Sequence, residues 1–350
     1  MVSRRGRRCP APAAFLALIV AAAVAVAACG SGSGNQASQA VPGQDSYERV
    51  IKMVLPSVVQ VDAGKSTGSG VVFDTRGDVV TNAHVVAGAK GGYRVVASAS
   101  ARPLDARVIG SFAPDDLAVI RVTSGAATLR PVRWADSNRA QVGQLVLAMG
   151  SPYGLIDSVT QGIISATGRT VTGPKIGAGP ASVITDALQT SAPINPGNSG
   201  GALVDLTGAV LGIPTLEARN PDLGGAADGI GFAIPSNTVR GIAGQLIRKG
   251  HVTTSDRASL QVTGSTHANH DGNADGVAVD AAQPGGAAAA AGIRAGDIIL
   301  SIGRSKTETE DDLDDVLIDY KPGDQVKVAV LRGGKREQFV VRLGSLSSRP

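Results

Sequence analysis

Cysteine is almost absent: the 350 residues contain two, Cys9 and Cys29. Both precede the stretches that carry the apolar patterning of a folded domain, so no disulfide can staple that part and its stability must come from buried cores. Histidine is nearly as scarce, with four residues at 84, 251, 267 and 270. A surplus of one charge is missing as well. There are 33 basic and 29 acidic residues, but Arg4, Arg5, Arg7 and Arg8 lie in the first 28 residues, which hold no acid, so the remainder is balanced. A neutral body gives no footprint for nucleic acid. Two ligand motifs lack their defining residue. Asp271 to Gly276, DGNADG, begins like a calcium loop, yet its twelfth position is Ala282 rather than a bidentate glutamate, and the stretch reads as a surface hairpin turn. His267 and His270 beside it read as solvated. Gly64-Lys65-Ser66 echoes a phosphate loop whose first glycine would fall at Val59. No metal, nucleotide or organic cofactor is expected.

The N-terminus has the three parts of an export signal: a basic run, an apolar run from Ala11 to Ala28, and then Cys29. Val26-Ala27-Ala28-Cys29 resembles the lipobox of bacterial lipoproteins, which implies cleavage before Cys29, its acylation, and a mature chain tethered to the outer face of the cell membrane. Residues 29–46 are small and polar, too poor in apolar surface to order themselves, and read as a flexible tether.

From Tyr47 the pattern becomes short apolar, β-branched runs separated by glycine, proline and aspartate, among them Val58–Val61, Gly70–Phe73, Asp78–Thr81, Tyr93–Val96, Leu117–Val122, Leu145–Met149, Val159–Ser165, Val210–Ile213 and Ile230–Ile234. Many short strands at this spacing predict a barrel or sandwich. The first long helix is expected from Ser236, as N-cap, to a stop at Gly250, with Val239, Ile242, Leu246 and Ile247 on one face. It closes a first domain over 47–250. A polar linker (251–257) and a second domain (258–347) follow, with strands at 260–262, 277–279, 298–302, 325–331 and 338–343 and a helix at 309–320.

Within Thr190–Val204, TSAPINPGNSGGALV, glycines at 197, 200 and 201 bracket Ser199. Glycines there let backbone N–H groups point at an oxyanion beside a nucleophilic hydroxyl, although a tight loop has the same look. A serine needs a base, and His84 in TNAHVV is the one histidine of the first domain. The base needs a buried carboxylate. Asp115-Asp116 at the mouth of the apolar run LAVI offers two, of which Asp115 reads as a solvated loop residue and Asp116 as the buried one.

TNAHVV, DDLAVI and PINPGNSGGALV, in the order His, Asp, Ser, resemble the three catalytic motifs of the HtrA (Deg) family of chymotrypsin-like serine proteases. GSGVVF (68–73), GSPYG (150–154), QGIISATGR (161–169) and GIGFAIPSNTV (229–239) match further family segments, so the resemblance covers roughly residues 47–240. It implies a mainly β fold of two six-stranded barrels with the site between them. It also implies a triad of His84, Asp116 and Ser199, an oxyanion hole from the amides of Gly197 and Ser199, and Ile194 and Ile230 near the primary specificity pocket. The chain departs from the family pattern at Ser191, where aspartate is frequent, and at Pro214, where an asparagine would keep a backbone N–H near the substrate-pairing strand.

PGGAAAAAGIRAGDIILSIG, at 284–303, resembles an HtrA-type PDZ domain, a small α+β module that binds an extended peptide by strand addition. The resemblance puts its carboxylate-binding loop at Ser259-Leu260-Gln261-Val262, with Gln261 in place of the usual glycine. Asp312, Asp314, Asp315 and Asp319 read as a solvated helix face. Together these features imply an extracytoplasmic serine endoprotease acting on unfolded or damaged polypeptides, with a peptide ligand for the PDZ domain and a trimer as the smallest assembly. The alternative reading is a PDZ-led chaperone or binding scaffold with a silent protease site.

Overall fold

Alternating burial along short strands builds two closed barrels. The computed structural model describes residues 44–348 apart from 65, 90–91, 98–101, 152–157, 177–180, 196 and 221–224. The expected signal segment, Cys29 and the tether up to residue 43 lie outside the described residues, as do 152–154 of the GSPYG stretch and Lys65. From Ser46 the chain belongs to one compact unit.

The first barrel closes in the order β1-β2-β3-β6-β5-β4, formed by β1 Val58–Asp62, β2 Thr67–Val72, β3 Asp78–Thr81, β4 Tyr93–Ala97, β5 Leu104–Phe112 and β6 Leu117–Val122. Its interior is aliphatic: Val59, Val61, Val72, Val79, Val95 and Ile120 are all fully buried. A one-turn helix, α2 (Ala83–Val86), follows β3.

The second barrel contains β8 Leu145–Gly150, β9 Ser158–Lys175, β10 Ala181–Thr190, β11 Ala202–Asp205, β12 Ala209–Asn220 and β13 Gly225–Pro235, in the order β11-β8-β9-β10-β13-β12. Pairing of β11 with β12 closes it, and β7 (Arg133–Trp134) adds in parallel to β12. Val146, Ala148, Ile164, Leu203 and Ala233 fill its interior. β5 and β10 are absent from the sequence expectation because charged and small residues break up their apolar pattern.

A further core cements the barrels together. Phe112, Leu117 and Val119 of the first meet Met149, Ile184 and Ile213 of the second, and the helix α3, Ser236–Lys249, seals the seam with Val239, Ile242 and Leu246. α3 approaches β5 so closely that a Cβ on Gly110 would lie 2.5 Å from the Gly250 carbonyl. Gly250 ends the helix in a left-handed turn (φ 76°), its N–H bonded to the Leu246 carbonyl, as the sequence predicted. The Ser236 expectation is corrected: the residue ahead of the helix is Pro235, and the Ser236 hydroxyl bonds to the Ala135 carbonyl instead of capping. A second correction concerns the N-terminal side. A helix, α1 (Gln44–Val54), overlaps the end of the expected tether, because Tyr47, Val50, Ile51 and Val54 recur at helical spacing and pack on this shared core.

The third unit is a sheet of β15 Val262–Ala268, β16 Ala274–Ala282, β17 Ile298–Ile302, β19 Gln325–Arg332 and β20 Lys335–Arg342 in that order, with β18 (Ser305–Lys306) on β17. The short α4 (Ala287–Ala291) and α5 (Glu310–Ile318) cover its core. The strand expected at 260–262 is broken, since Gln261 takes a left-handed conformation (φ 57°) that separates β14 (Ala258–Ser259) from β15. The segment expected as a polar linker is bound down. Val252 is buried in the shared core, and the C-terminal strand returns along it: β21 (Gly344–Ser345) pairs with β14, Leu346 N–H bonds to the Arg257 carbonyl and Ser348 N–H to the Val252 carbonyl. No helix among the described residues is long and apolar enough to cross a membrane.

Because Leu246 joins both barrels, Leu246→Ala should lower the unfolding free energy by about 3 kcal/mol. A urea titration showing a loss below about 1 kcal/mol would mean that α3 does not hold the seam.

Candidate active site

His84 sits in α2, where the chain leaves the first barrel, and its backbone and ring both face Asp116. The His84 N–H donates to Asp116 Oδ1 at 3.0 Å, and Nδ1 lies 3.0 and 2.8 Å from Oδ1 and Oδ2. A carboxylate only accepts, so Nδ1 carries the proton and Nε2 is left as the acceptor. Asp116 reaches this place through a tight turn. A 3₁₀ turn over Ala113–Asp115 ends in Asp116 with φ 50°, a left-handed conformation that aspartate tolerates better than most residues. The Asp116 carbonyl accepts from Ala83 N–H (3.1 Å) and Asn82 Nδ2 (2.9 Å), which ties the turn to α2.

The second barrel supplies another donor, Thr215 on β12, whose hydroxyl bonds to Asp116 Oδ2 at 2.5 Å. Asp116 is fully buried, and these three donors offset what its desolvation would otherwise cost. Nothing in the type of Thr215 marks it in the sequence; its one signal is that it follows Pro214.

Ser199 is placed by backbone contacts that exclude side chains. A Cβ on Gly200 would lie 2.2 Å from the Ser69 carbonyl, and one on Gly201 2.1 Å from that of Met149. Gly200 N–H bonds to the Pro214 carbonyl (2.9 Å) and Ser69 N–H to the Ser199 carbonyl (2.9 Å), so the loop is fastened to both barrels. Ser69 also donates its hydroxyl to the Gly197 carbonyl while accepting from Ser151 N–H. The Ser199 hydroxyl points to the Thr215 carbonyl at 3.4 Å, a long contact. Among the described residues, neither the Gly197 nor the Ser199 N–H has an acceptor. One residue, Thr215, therefore touches Asp116 with its side chain and Ser199 with its backbone.

The remaining expected positions are more dispersed. Ile194 is buried beneath Gly231, where a Cβ would lie 2.4 Å from its Cγ1, and strand alternation turns the 37 % exposed Ile230 the other way. Ser191 takes a structural part, its hydroxyl accepting from Ile163 N–H at 3.1 Å. In the third unit, Gln261 N–H donates to the Ser259 hydroxyl, Gln261 Oε1 accepts from Ala287 N–H, and Nε2 donates to the Ser345 carbonyl. Leu260 is buried, and its carbonyl accepts from Ala288 N–H. Val262 opens β15, the edge strand, which lies beside α5. Asp115 is corrected: it is buried, 4 % exposed, rather than a solvated loop residue. Asp312 and Asp314 also leave the solvated face assigned to them. Asp312 completes a capping box with Thr309, and Asp314 is half-buried. No group of three or more metal-ligating side chains occurs among the described residues. His267 pairs with Asp275 across the hairpin at 2.6 Å.

Comparison with known proteins gives two domain matches: a trypsin-like peptidase domain over residues 68–213 and a PDZ domain over 253–343. The chain is 38 % identical over 298 residues to Protease Do-like 1 of Arabidopsis thaliana chloroplasts, an alignment covering 82 % of this chain and 65 % of that protein. It is 35 % identical over 317 residues to the serine endoprotease DegS of Salmonella typhimurium, covering 85 % of each. The crystal structure of the serine endoprotease from Yersinia pestis superimposes with a TM-score of 0.55 at 34 % identity, over 86 % of this chain and 98 % of that one.

Thr215→Val keeps the shape and removes the donor to Asp116. We expect kcat on a peptide substrate to fall about tenfold with KM little changed. Kinetics within twofold of the native chain would show that the hydroxyl is dispensable.

Proposed function

Because this chain belongs to the HtrA family of serine endoproteases, we propose that it hydrolyses peptide bonds of unfolded or damaged proteins outside the cytoplasm through His84, Asp116 and Ser199. The observation that carries the assignment is the contact between the buried Asp116 carboxylate and His84 Nδ1, with Thr215 bridging from Asp116 to Ser199. Ser199 Oγ turns from the Thr215 carbonyl to His84 Nε2, gives up its proton and attacks the substrate carbonyl. Such realignment is usual, since catalytic hydrogen bonds are often long before substrate arrives. The Gly197 and Ser199 N–H groups receive the oxyanion, and His84 passes the proton to the leaving amine. Asp116 holds the imidazole in one tautomer and steadies the imidazolium; its other two donors, His84 N–H and Thr215, keep it from rotating away. Water then releases the acyl group by the same steps. Of the two isoleucines expected near the specificity pocket, the exposed Ile230 offers an aliphatic contact to substrate side chains, while Ile194 packs beneath Gly231.

In this reading the PDZ domain takes an extended peptide along β15, with residues 259–262 at the carboxylate end. Gln261 has both ends of its side chain bonded within the domain, so it holds that loop in shape in place of a glycine. The smallest assembly is a trimer, as the family resemblance implies, and acylated Cys29 tethers the chain to the outer face of the membrane. The scaffold alternative is disfavoured by the relatives, which are named as proteases.

Casein should be cleaved by the chain from Gly30 onward and not by its Ser199→Ala variant, whose kcat should be lower by roughly a millionfold. Equal cleavage by both would remove Ser199 from the mechanism. Cys29→Ala should release the protein from the membrane fraction or block its processing; unchanged membrane association and mature size would point to a different anchor.

A further inference from the structure

Ser69 lies on β2 of the first barrel, yet its hydrogen bonds reach into the loop of the second barrel that carries Ser199. Its N–H donates to the Ser199 carbonyl at 2.9 Å, and its hydroxyl donates to the Gly197 carbonyl. The same hydroxyl oxygen accepts from Ser151 N–H at 2.8 Å, just past the end of β8. One residue therefore grips the carbonyls of both residues whose N–H groups form the expected oxyanion hole. The N–H and the carbonyl of a residue are separated by only two soft dihedrals, so anchoring the carbonyl limits how far the N–H can turn.

The rest of the loop leaves this duty to Ser69. Gly197 has φ 107° and no side chain with which to hold that conformation. Asn198 is buried between the two donors, but neither end of its side-chain amide has a hydrogen-bond partner among the described residues. Its backbone is held only within the loop, by the N–H to the Asn195 carbonyl (3.0 Å) and by the carbonyl to Gly201 N–H (2.9 Å). Among the described residues, both hydrogen bonds from the first barrel to residues 197–199 come from Ser69. Ser69 is itself fixed. It is fully buried, stands opposite Gln60 of β1, and its carbonyl accepts from the Thr81 hydroxyl at 2.6 Å. Glycine makes room for the clasp: a Cβ on Gly150 would lie 2.9 Å from the Ser69 hydroxyl oxygen, and one on Gly68 would lie 2.6 Å from Val85 Cγ2.

We propose that Ser69 is a positioning residue for the oxyanion hole, keeping the Gly197 and Ser199 N–H groups aimed at the developing oxyanion from the opposite barrel. The inference rests on the reading that these two amides receive the oxyanion. Donors fixed in advance act on charge that appears only in the transition state. Loosening them should cost turnover rather than substrate binding.

The test uses the full chain, a chromogenic peptide that it cleaves, and a peptide aldehyde of the same sequence, which adds to Ser199 and places its oxygen in the hole. Rates are expressed per active site, counted by the end point of fluorophosphonate labelling. Ser69→Ala should lower kcat about thirtyfold, less than the hundredfold or more of a missing donor, with KM within about twofold. Inhibition by the aldehyde should weaken by the same factor. A residue needed only for folding would reduce the number of labelled sites and leave kcat per site and the aldehyde inhibition constant unchanged. Ser69→Cys fills the same space with a weaker donor and should lose about tenfold in both quantities; it carries the comparison if the alanine variant yields no folded protein. A kcat per site within about twofold of native would overturn the proposal, as would a kcat loss that the aldehyde does not follow or a loss confined to KM. Failure of the underlying reading shows in the native chain itself, which would resist the aldehyde and react with the fluorophosphonate no faster than Ser199→Ala.

Discussion

The fold is arranged around one buried carboxylate. A charged oxygen pair with no access to water is tolerated only when donors surround it, and Asp116 collects them from both barrels: His84 N–H and Nδ1 from the first, the Thr215 hydroxyl from the second. Those contacts fix the tautomer of His84 and at the same time align β12 against α2. The barrels cannot slide past each other without stripping a donor from Asp116. Chemistry and domain packing are therefore secured by the same hydrogen bonds.

Glycine supplies the complementary constraint. Gly200 and Gly201 bring the serine loop within carbonyl contact of Ser69 and Met149, closer than any side chain allows. The loop has no bulk of its own to hold it, so its shape is imposed by partners such as Pro214 and Ser69. Pro214 gives up a backbone N–H but keeps the carbonyl that Gly200 uses. The replacement of a family asparagine is thereby compatible with the loop geometry.

The PDZ domain is attached by more than a covalent tether. Val252 is buried with the residues that join the barrels, and the strand near the C-terminus pairs back on the linker. Arg257 is held at the crossing of these segments, its carbonyl bonded to Leu346 N–H and its guanidinium to the Pro114 carbonyl in the turn below Asp116.

The strands whose apolar alternation is uninterrupted, such as Leu117–Val122 and Ile298–Ile302, were legible from the residues alone, and so was the helix ending at Gly250. His84, Asp116 and Ser199 could be picked out as candidates too, because nucleophile, base and carboxylate need those residue types in glycine-rich or apolar surroundings. Less could be read where the local pattern was mixed. The helix Gln44–Val54 was hidden by its polar neighbours, and its apolar stripe gains meaning only once a core exists to receive it. Asp115 looked solvated because a charged loop residue usually is, and its burial comes from packing of distant segments that no local pattern announces. Thr215 shows the limit most plainly. It lies 99 residues from Asp116 along the chain, and no local periodicity can say which hydroxyl will meet a buried carboxylate. The sequence by itself determined which residues are apolar, which are reactive and where the chain turns, since those follow from side-chain chemistry and spacing. The tertiary structure alone decided which distant donors satisfy Asp116 and which arginine bonds to the turn that carries it, because burial and hydrogen bonding across domains depend on how closed barrels pack.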